Sequence, residues 1–254
     1  MKSFFISLSF LLIFGIPMAN GQLSDYVINK GNGILVNLSY GAQMPGGDIK
    51  PRFGNNSNLG LGVEYIRDET NWIFGLEGYF IFGSNVKQDV LATLRTPEGF
   101  IIGNDRNYAN IQLRERGVYV GGLVGKIISF SETKKRSGLR LTLGAGLLQH
   151  KIRIQDDPDR SVPQLLGEYK KGYDRLSNGL AFNEFIGYQR LSENKRLNFY
   201  IGIELTQGFT QNRRDFNFDT EARDDAKRMD FLFGIRAGWV LPFYFGQSAD
   251  EIYY

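Results

Sequence analysis

The C-terminal stretch Asp230-Phe-Leu-Phe-Gly-Ile-Arg-Ala-Gly-Trp-Val-Leu-Pro-Phe-Tyr-Phe245 decides the fold. Every second residue from Phe231 to Phe245 is apolar, and most of these residues are aromatic. The intervening positions place Arg236 between Gly234 and Gly238. Successive side chains of a strand point to opposite faces, so one face is continuously apolar and the other is polar and narrow. This pattern indicates a strand with lipid outside and a polar interior.

Seven further segments show the same alternation. Together with the opening stretch they predict eight strands, the first seven being Gly33 to Gly41, Asn58 to Ile66, Asn71 to Phe82, Gly117 to Phe130, Leu139 to Ile154, Leu180 to Gln189 and Asn198 to Phe209. The fourth is apolar or glycine on both faces apart from Lys126, and in the sixth Glu184 shares a face with apolar residues. A bulge or a locally inverted register would account for the poorer fit of these two strands, and the sequence does not place it.

The connections between the predicted strands alternate in length. Three are short and polar and four are long: 67–70, 131–136 and 190–196 against 42–57, 83–116, 155–179 and 210–229. Short periplasmic turns alternating with long extracellular loops are typical of outer-membrane barrels. The sequence therefore predicts an all-β, eight-stranded antiparallel up-and-down transmembrane β-barrel. A soluble barrel of lipocalin type is the alternative, but it would bury its apolar face.

The N-terminus has the features of a secretory signal. A basic start at Lys2 precedes an apolar run over residues 4–16, and small residues at Ala19 and Gly21 suit signal peptidase. We predict a cleaved signal peptide over 1–21 and a single barrel domain over 22–254, with a short periplasmic tail at 246–254. An uncleaved anchor is the alternative, although the apolar run is shorter than the ~20 residues that a spanning helix needs.

Composition excludes several classes of function. The chain has no cysteine, which rules out disulfides, thiolate metal sites and a lipidated cysteine. Its 30 basic and 27 acidic residues are too balanced to favour nucleic acid. Beyond the signal, no apolar window is long and uncharged enough to predict a transmembrane helix.

Aromatic residues on the predicted outward faces form two levels. Aromatic rings prefer the two membrane–water interfaces. We predict a lower girdle of Tyr65, Trp72, Phe130, Phe199, Phe243 and Phe245, and an upper girdle of Tyr40, Phe80, Phe82, Phe209 and Phe231.

Six ionisable residues are predicted to point inward, three of each sign: Glu64, Glu77, Lys126, Arg140, Glu204 and Arg236. Side chains fill the interior of so narrow a barrel, and buried charges must pair. We predict a salt-bridged plug, with Glu204–Arg236 as the first pair and Glu77–Lys126 as the second. A proton or ion path is the alternative.

The sequence predicts no catalytic, cofactor or metal site. His150, the only histidine, is expected inward near the upper rim, and no spaced nucleophile accompanies it. The acidic cluster from Asp156 to Asp159 lacks the spacing of an EF-hand. Gly125-Lys126 lacks the glycine and hydroxyl residue of a phosphate loop.

The long loops contain apolar residues that simple solvated loops lack. Ser84 to Leu94 is predicted to form a short helix, and residues 100–102 and 162–166 are apolar. These segments either pack over the barrel mouth or form a docking surface for a protein partner. Cations beside aromatic residues at 169–175 and 211–215 suit lipopolysaccharide phosphates or an acidic partner.

The chain resembles the small eight-stranded outer-membrane barrel proteins typified by OmpA and OmpX. The stretches Phe53-Gly-Asn-Asn-Ser-Asn-Leu-Gly-Leu-Gly-Val-Glu64 and Gly234-Ile-Arg-Ala-Gly-Trp239 are most similar to barrels of the Bacteroidota. The resemblance implies an outer-membrane protein without enzymatic activity, in contact with lipid, and acting through its loops. Alternatives are a subunit of an envelope complex such as the type IX secretion system, a small-solute channel, or an outer-membrane enzyme. Nine residues follow the terminal aromatic Phe245, which the family pattern does not include.

Overall fold

A computed structural model describes residues 31–131, 136–192 and 197–245. The predicted signal peptide and C-terminal tail lie outside the described residues. The strands are β1 (Gly33–Gly47), β2 (Asn56–Ile66), β3 (Trp72–Gly83), β4 (Ile101–Ile102), β5 (Tyr108–Ala109), β6 (Gln112–Ser129), β7 (Gly138–Gln155), β8 (Ser177–Arg190), β9 (Phe199–Asn212) and β10 (Lys227–Tyr244). Short 3₁₀ helices cover Ala92–Leu94, Pro163–Leu165 and Gly167–Gly172.

Eight of these strands close into an antiparallel up-and-down barrel in the order β1-β2-β3-β6-β7-β8-β9-β10. The last strand pairs with the first from Gly33–Tyr244 to Gly47–Asp230, so the barrel has no free edge. The predicted eight-stranded barrel is therefore confirmed. The two-residue strands β4 and β5 pair with each other in the loop between β3 and β6.

The register fixes the tilt of the strands. Following paired residues once around the barrel from Gly33 returns to Gln43, which is ten residues further along β1. Combined with ordinary strand spacings, a shear of ten over eight strands corresponds to a tilt of about 40°. This tilt lies in the range of transmembrane barrels.

The outer surface is a continuous apolar band. Leu61, Leu76 and Ile235 are 60%, 70% and 61% exposed, and their neighbours on the same faces are also apolar. A soluble barrel would bury such residues, because exposed apolar area costs free energy in water. The barrel therefore spans a membrane. Among the described residues, no helix is long and apolar enough to cross a bilayer.

The residues predicted as aromatic girdles are exposed or half-exposed on the barrel wall. At the short-turn end, Tyr188 joins the predicted set: its ring centroid lies 6.4 Å from that of Phe130 and 6.3 Å from that of Phe199. Tyr40, in the middle of β1, donates a hydrogen bond at 2.9 Å to Oγ of Ser57, which lies at the loop end of β2.

Two expectations about the strands are wrong. The β6–β7 and β7–β8 ladders run without interruption, so neither contains a bulge. Lys126 lies on the outer face rather than in the interior, with Nζ 5.5 Å from the ring centroid of Trp72. The reason is that β6 fills the interior with apolar side chains, Leu123 and Ile127, so its inward face carries no charge at this level. Glu184 also faces outward, and accepts a hydrogen bond from Gln207 at 3.2 Å.

The loop ends of several strands are longer than predicted. Strand β6 begins at Gln112 rather than Gly117, and β1 continues to Gly47. The predicted helix over Ser84 to Leu94 does not form. Only its last three residues, Ala92–Leu94, form a 3₁₀ turn. Two apolar residues of this segment, Val90 and Leu91, are nevertheless buried.

Replacing Leu61 by arginine tests the lipid-facing assignment. We expect Leu61→Arg to lower the free energy of unfolding by roughly 2–4 kcal/mol, because arginine near the bilayer midplane loses its hydration. The measurement is reversible denaturant unfolding in phospholipid vesicles. Met44→Arg, at the loop end of β1, serves as the control and should cost about 0–1 kcal/mol. Equal costs at the two positions would contradict the assignment.

Candidate functional site

The middle of the barrel contains two buried groups of ionic contacts. Arg140 forms a salt bridge with Glu64 and donates from Nη1 to Gln189 Oε1 at 2.7 Å. Arg236 Nη1 lies 3.3 Å from Glu204 Oε2 and 3.9 Å from Glu77 Oε2.

All five of these ionisable residues are at most 7% exposed. The predicted Glu204–Arg236 pair is thus in contact, whereas the predicted Glu77–Lys126 pair does not form, because Lys126 faces outward.

Aromatic rings enclose the guanidinium groups. Arg236 Cζ lies 4.7 Å from the ring centroid of Tyr79 and 4.9 Å from that of Phe185. Arg140 Cζ lies 4.7 Å from the centroid of Tyr200. Tyr200 fits inside the barrel because its neighbour on β10 is Gly238, where a Cβ would overlap the tyrosine ring. Rings and ions together fill the interior as a packed plug.

Neutral side chains donate further hydrogen bonds to two of the carboxylates. Glu204 Oε1 accepts hydrogen bonds from Gln43 Nε2 at 2.9 Å and from Asn58 Nδ2 at 2.8 Å. The hydroxyl of Tyr79 donates to Glu77. Such bonds offset the cost of removing the charges from water. The interior has the properties of a structural plug.

His150 lies at the upper rim, buried as predicted. Its Nε2 is 2.9 Å from Asp230 Oδ2, which also accepts a hydrogen bond from Thr210 Oγ1 at 2.5 Å. The ring of Phe53 meets the imidazole edge-on at 5.9 Å. This arrangement joins β7, β9 and β10 beneath the loops. Among the described residues, no serine or threonine hydroxyl bonds to the imidazole, so the geometry provides no activated nucleophile.

The long loops form one folded cap over the barrel mouth. Their buried apolar residues pack against inward residues of the upper barrel, and the loop members of this cluster are Ile49, Phe53, Val90, Leu91, Ile101, Ala109, Val162, Leu165 and Tyr173. The apolar loop segments pack over the barrel mouth in part, which is the first of the two expectations. Ile101 and Leu165 are buried in the cap, whereas Phe100, Ile102 and Leu166 remain exposed.

The cations predicted to suit an anionic partner are largely paired within the cap. Lys170 and Lys171 form salt bridges with Asp156 and Glu168, and Arg214 does so with Asp174.

In the acidic cluster, Asp157 accepts hydrogen bonds from the backbone N–H groups of Asn110 and Asp159, which lower the pKa of its carboxyl. No group of three potential metal ligands occurs in the part of the chain that the structure describes.

A cluster of four cations on the outer wall was not predicted. Arg114 and Arg116 on β6 lie opposite Arg153 and Lys151 on β7, all on the outward face just above the apolar band. None of the four forms an ion pair with a described residue. Like charges directly across a ladder are destabilising without a counterion. The alternation of Gln112-Leu-Arg-Glu-Arg116 was the signal that could have revealed this extension of the strand.

Comparison with known proteins gives limited similarity. No protein-family model matches the chain, and no curated protein matches it. Among solved structures, the attachment invasion locus protein Ail of Yersinia pestis is 14% identical, with a TM-score of 0.36, over 83% of this chain and 99% of Ail. The outer membrane protein OprG of Pseudomonas aeruginosa is 12% identical, with a TM-score of 0.34, over 85% of this chain and 97% of OprG.

Removal of Arg236 tests whether the interior ions act as a plug. Arg236→Met leaves Glu204 and Glu77 without their shared cation, and removing one partner of a buried pair costs about 3–5 kcal/mol. The double variant Arg236→Met, Glu204→Gln should recover part of this loss, because one uncompensated charge disappears. Denaturant unfolding in vesicles measures both. Additive losses would argue against the pairing.

Proposed function

We propose that this protein is an integral outer-membrane barrel without enzymatic activity that acts at the cell surface through its folded loop cap. In this proposal residues 1–21 direct export and are removed. The barrel holds the cap at the membrane surface, and the filled interior stabilises the barrel.

The observation that carries the proposal is the combination of a filled interior with an ordered cap. The ion pairs and rings at mid-height occupy the space that a channel would need for water. Above them, loops from distant parts of the sequence share one apolar cluster. Loops that only connect strands do not need a shared core, whereas loops that bind a partner gain affinity from a fixed shape.

The hairpin β4–β5 is the part of the cap best suited to contact another protein. The exposed rings of Phe100 and Tyr108 stack at 4.4 Å between centroids, next to exposed Ile102. Rigid aromatic residues on a surface are common anchors of protein interfaces. The same patch favours a second candidate function, as a barrel subunit of a larger envelope assembly such as the type IX secretion system.

The cation cluster of Arg114, Arg116, Lys151 and Arg153 supports lipopolysaccharide as a lipid partner. The four cations lie on the outer wall at the loop end, immediately above the apolar band, which is the level of lipid phosphates. Phosphate oxygens would supply the counterions that the protein lacks there. Arg116 also lies over the ring of Phe80, with Cζ 6.0 Å from its centroid, which directs the cation along the wall.

Neutralising part of this cluster should weaken lipopolysaccharide binding. A juxtamembrane cation contributes on the order of 1 kcal/mol to binding of an anionic lipid surface, so Arg116→Gln, Lys151→Gln should lose roughly 30-fold. The measurement is titration of the detergent-solubilised barrel with lipopolysaccharide. The control Arg67→Gln, Arg190→Gln removes two cations from the short-turn end and should bind as the wild type does. Equal loss in both variants would indicate non-specific charge effects.

The aromatic hairpin can be tested by site-specific crosslinking in native membranes. A photoreactive residue at position 100 or 108 should give a discrete crosslinked species, because the stacked rings form a fixed apolar contact. Tyr169, which is exposed on another loop, is the matched control position. Heat-modifiable migration on gels verifies that each variant forms a barrel. A diffuse pattern at all three positions would count against a partner at the hairpin.

A further inference from the structure

A cavity of about 660 Å³ lies within the loop cap, above the rim of the barrel. All four long loops contribute to its wall, through Arg52, Gln88, Arg175 and Asn217 among others, and Arg228 of β10 completes it. Residues so distant in sequence meet here only because the barrel holds the loops together.

Three of the four arginines that line the cavity are neutralised by a carboxylate. Arg175 Nη2 lies 2.7 Å from Asp219 Oδ1, and Arg223 Nε lies 3.1 Å from Asp225 Oδ1. Arg228 forms a salt bridge with Asp224 at 2.5 Å. These pairs leave little net charge on that part of the wall.

Arg52 differs from the other three. It is only 6% exposed, and its hydrogen-bond acceptors are neutral: Gln88 Oε1 at 3.3 Å, the carbonyl of Arg175 at 3.3 Å and Ser177 Oγ at 3.2 Å. Among the described residues, no carboxylate forms an ion pair with its guanidinium, and Nη2 has no hydrogen-bond partner. A buried charge without a counterion is costly, so a protein that keeps one usually supplies or recruits the opposite charge.

No neighbouring carboxylate in the described part of the chain forms an ion pair with Arg52. Asp224, which lies near it, is already paired with Arg228. Asp48 is exposed at the edge of the cavity, and its Oδ2 accepts the backbone N–H of Met229 at 2.8 Å. Asp230, below the cavity, is already bonded to His150 and Thr210.

Burial is the largest of the effects that lower the pKa of Arg52 to about 10. The nearby guanidinium groups of Arg228 and Arg175 act in the same direction, and the carboxylates of Asp230 and Asp224 partly oppose them. The side chain therefore remains charged at neutral pH.

The surroundings hold Arg52 in one position. The backbone N–H groups of Arg52 and Phe53 both donate to the carbonyl of Ile49, at 3.0 and 3.1 Å, which fixes the turn. Arg175 has a φ of 51°, an unfavourable conformation for a side-chain-bearing residue, and its carbonyl accepts from Arg52. Local strain of this kind is characteristic of functional sites. A preorganised donor binds an anion without the entropy loss of ordering a long side chain.

We propose that this cavity binds a small oxyanion, a phosphate or carboxylate group, with Arg52 as the cation that receives it. The planar guanidinium can donate two parallel hydrogen bonds to two oxygens of a carboxylate or of a phosphate group. The neutral side chains of Asn217 and Thr220 on the wall provide further hydrogen-bond donors. The site differs from the lipid-facing cation cluster on β6 and β7 and does not depend on it.

Calorimetric titration of the purified full chain in detergent tests the proposal. Sodium phosphate and sodium acetate are titrated separately at constant ionic strength with chloride, so that screening is the same throughout. We expect saturable binding of at least one anion to the wild type and a loss of at least tenfold in Arg52→Gln. Arg160→Gln, which removes the same charge from another loop, should bind within twofold of the wild type. The anion that binds identifies phosphate or carboxylate as the recognised group.

Arg52→Lys provides a second variant if Arg52→Gln does not show heat-modifiable migration. Lysine keeps the charge but loses the planar fork, so we expect at least threefold weaker binding. The absence of saturable binding by both anions in the wild type would overturn the proposal. Unchanged affinity in a folded Arg52 variant would also overturn it, because the anion would then bind elsewhere.

Discussion

Closure of the backbone hydrogen-bond ladder is the constraint on which the rest of the structure depends. Lipid offers no partner for a peptide N–H or C=O, so a sheet can span a bilayer only when its first and last strands pair. Here β10 pairs with β1 along the full length of β1. The register that allows this closure also sets the tilt, the radius and the face on which every side chain lies. If β10 shifted by one residue relative to its neighbours, its aromatic face would point into the interior.

A barrel of eight strands has a narrow interior, and in this one side chains fill it at mid-height. That limit explains both the charges and the glycines of the inward faces. Tyr200 needs the space that Gly238 leaves open, and Arg236 needs the carboxylates of Glu204 and Glu77. Each buried ion is tolerated because rings and amides surround it. The wall is rigid because its interior is filled. This rigid part reaches up to the His150–Asp230 contact, above which the loop cap begins.

The sequence predicted what depends on local alternation and missed what depends on three-dimensional packing. All eight barrel strands were found, since most of them alternate over at least eight residues and the fourth is a long run of apolar residues and glycines. Lys126 was placed on the wrong face because the predicted strand from Gly117 to Phe130 is apolar or glycine on both faces, and its only charge was assumed to point inward. The cavity around Arg52 could not be predicted, because its wall combines four loops with no shared pattern. Arg114 and Arg116 were missed for a simpler reason. The predicted strand began at Gly117, so the two arginines before it were assigned to the loop.

The residues with positive φ distinguish the barrel wall from the loops. Among the described residues, the non-glycine residues with positive φ are Asn71, Arg106, Arg175 and Glu221, and none of them lies in a strand. Three belong to the long loops, and Arg175 contacts the buried cation of the cavity. A lipid-embedded wall has little freedom to vary, because each outward residue must be apolar and each inward one must fit. The loops need neither an apolar outer face nor a fit inside the barrel, yet their residues form an apolar cluster. Their order is therefore best explained by a requirement for a fixed surface outside the membrane.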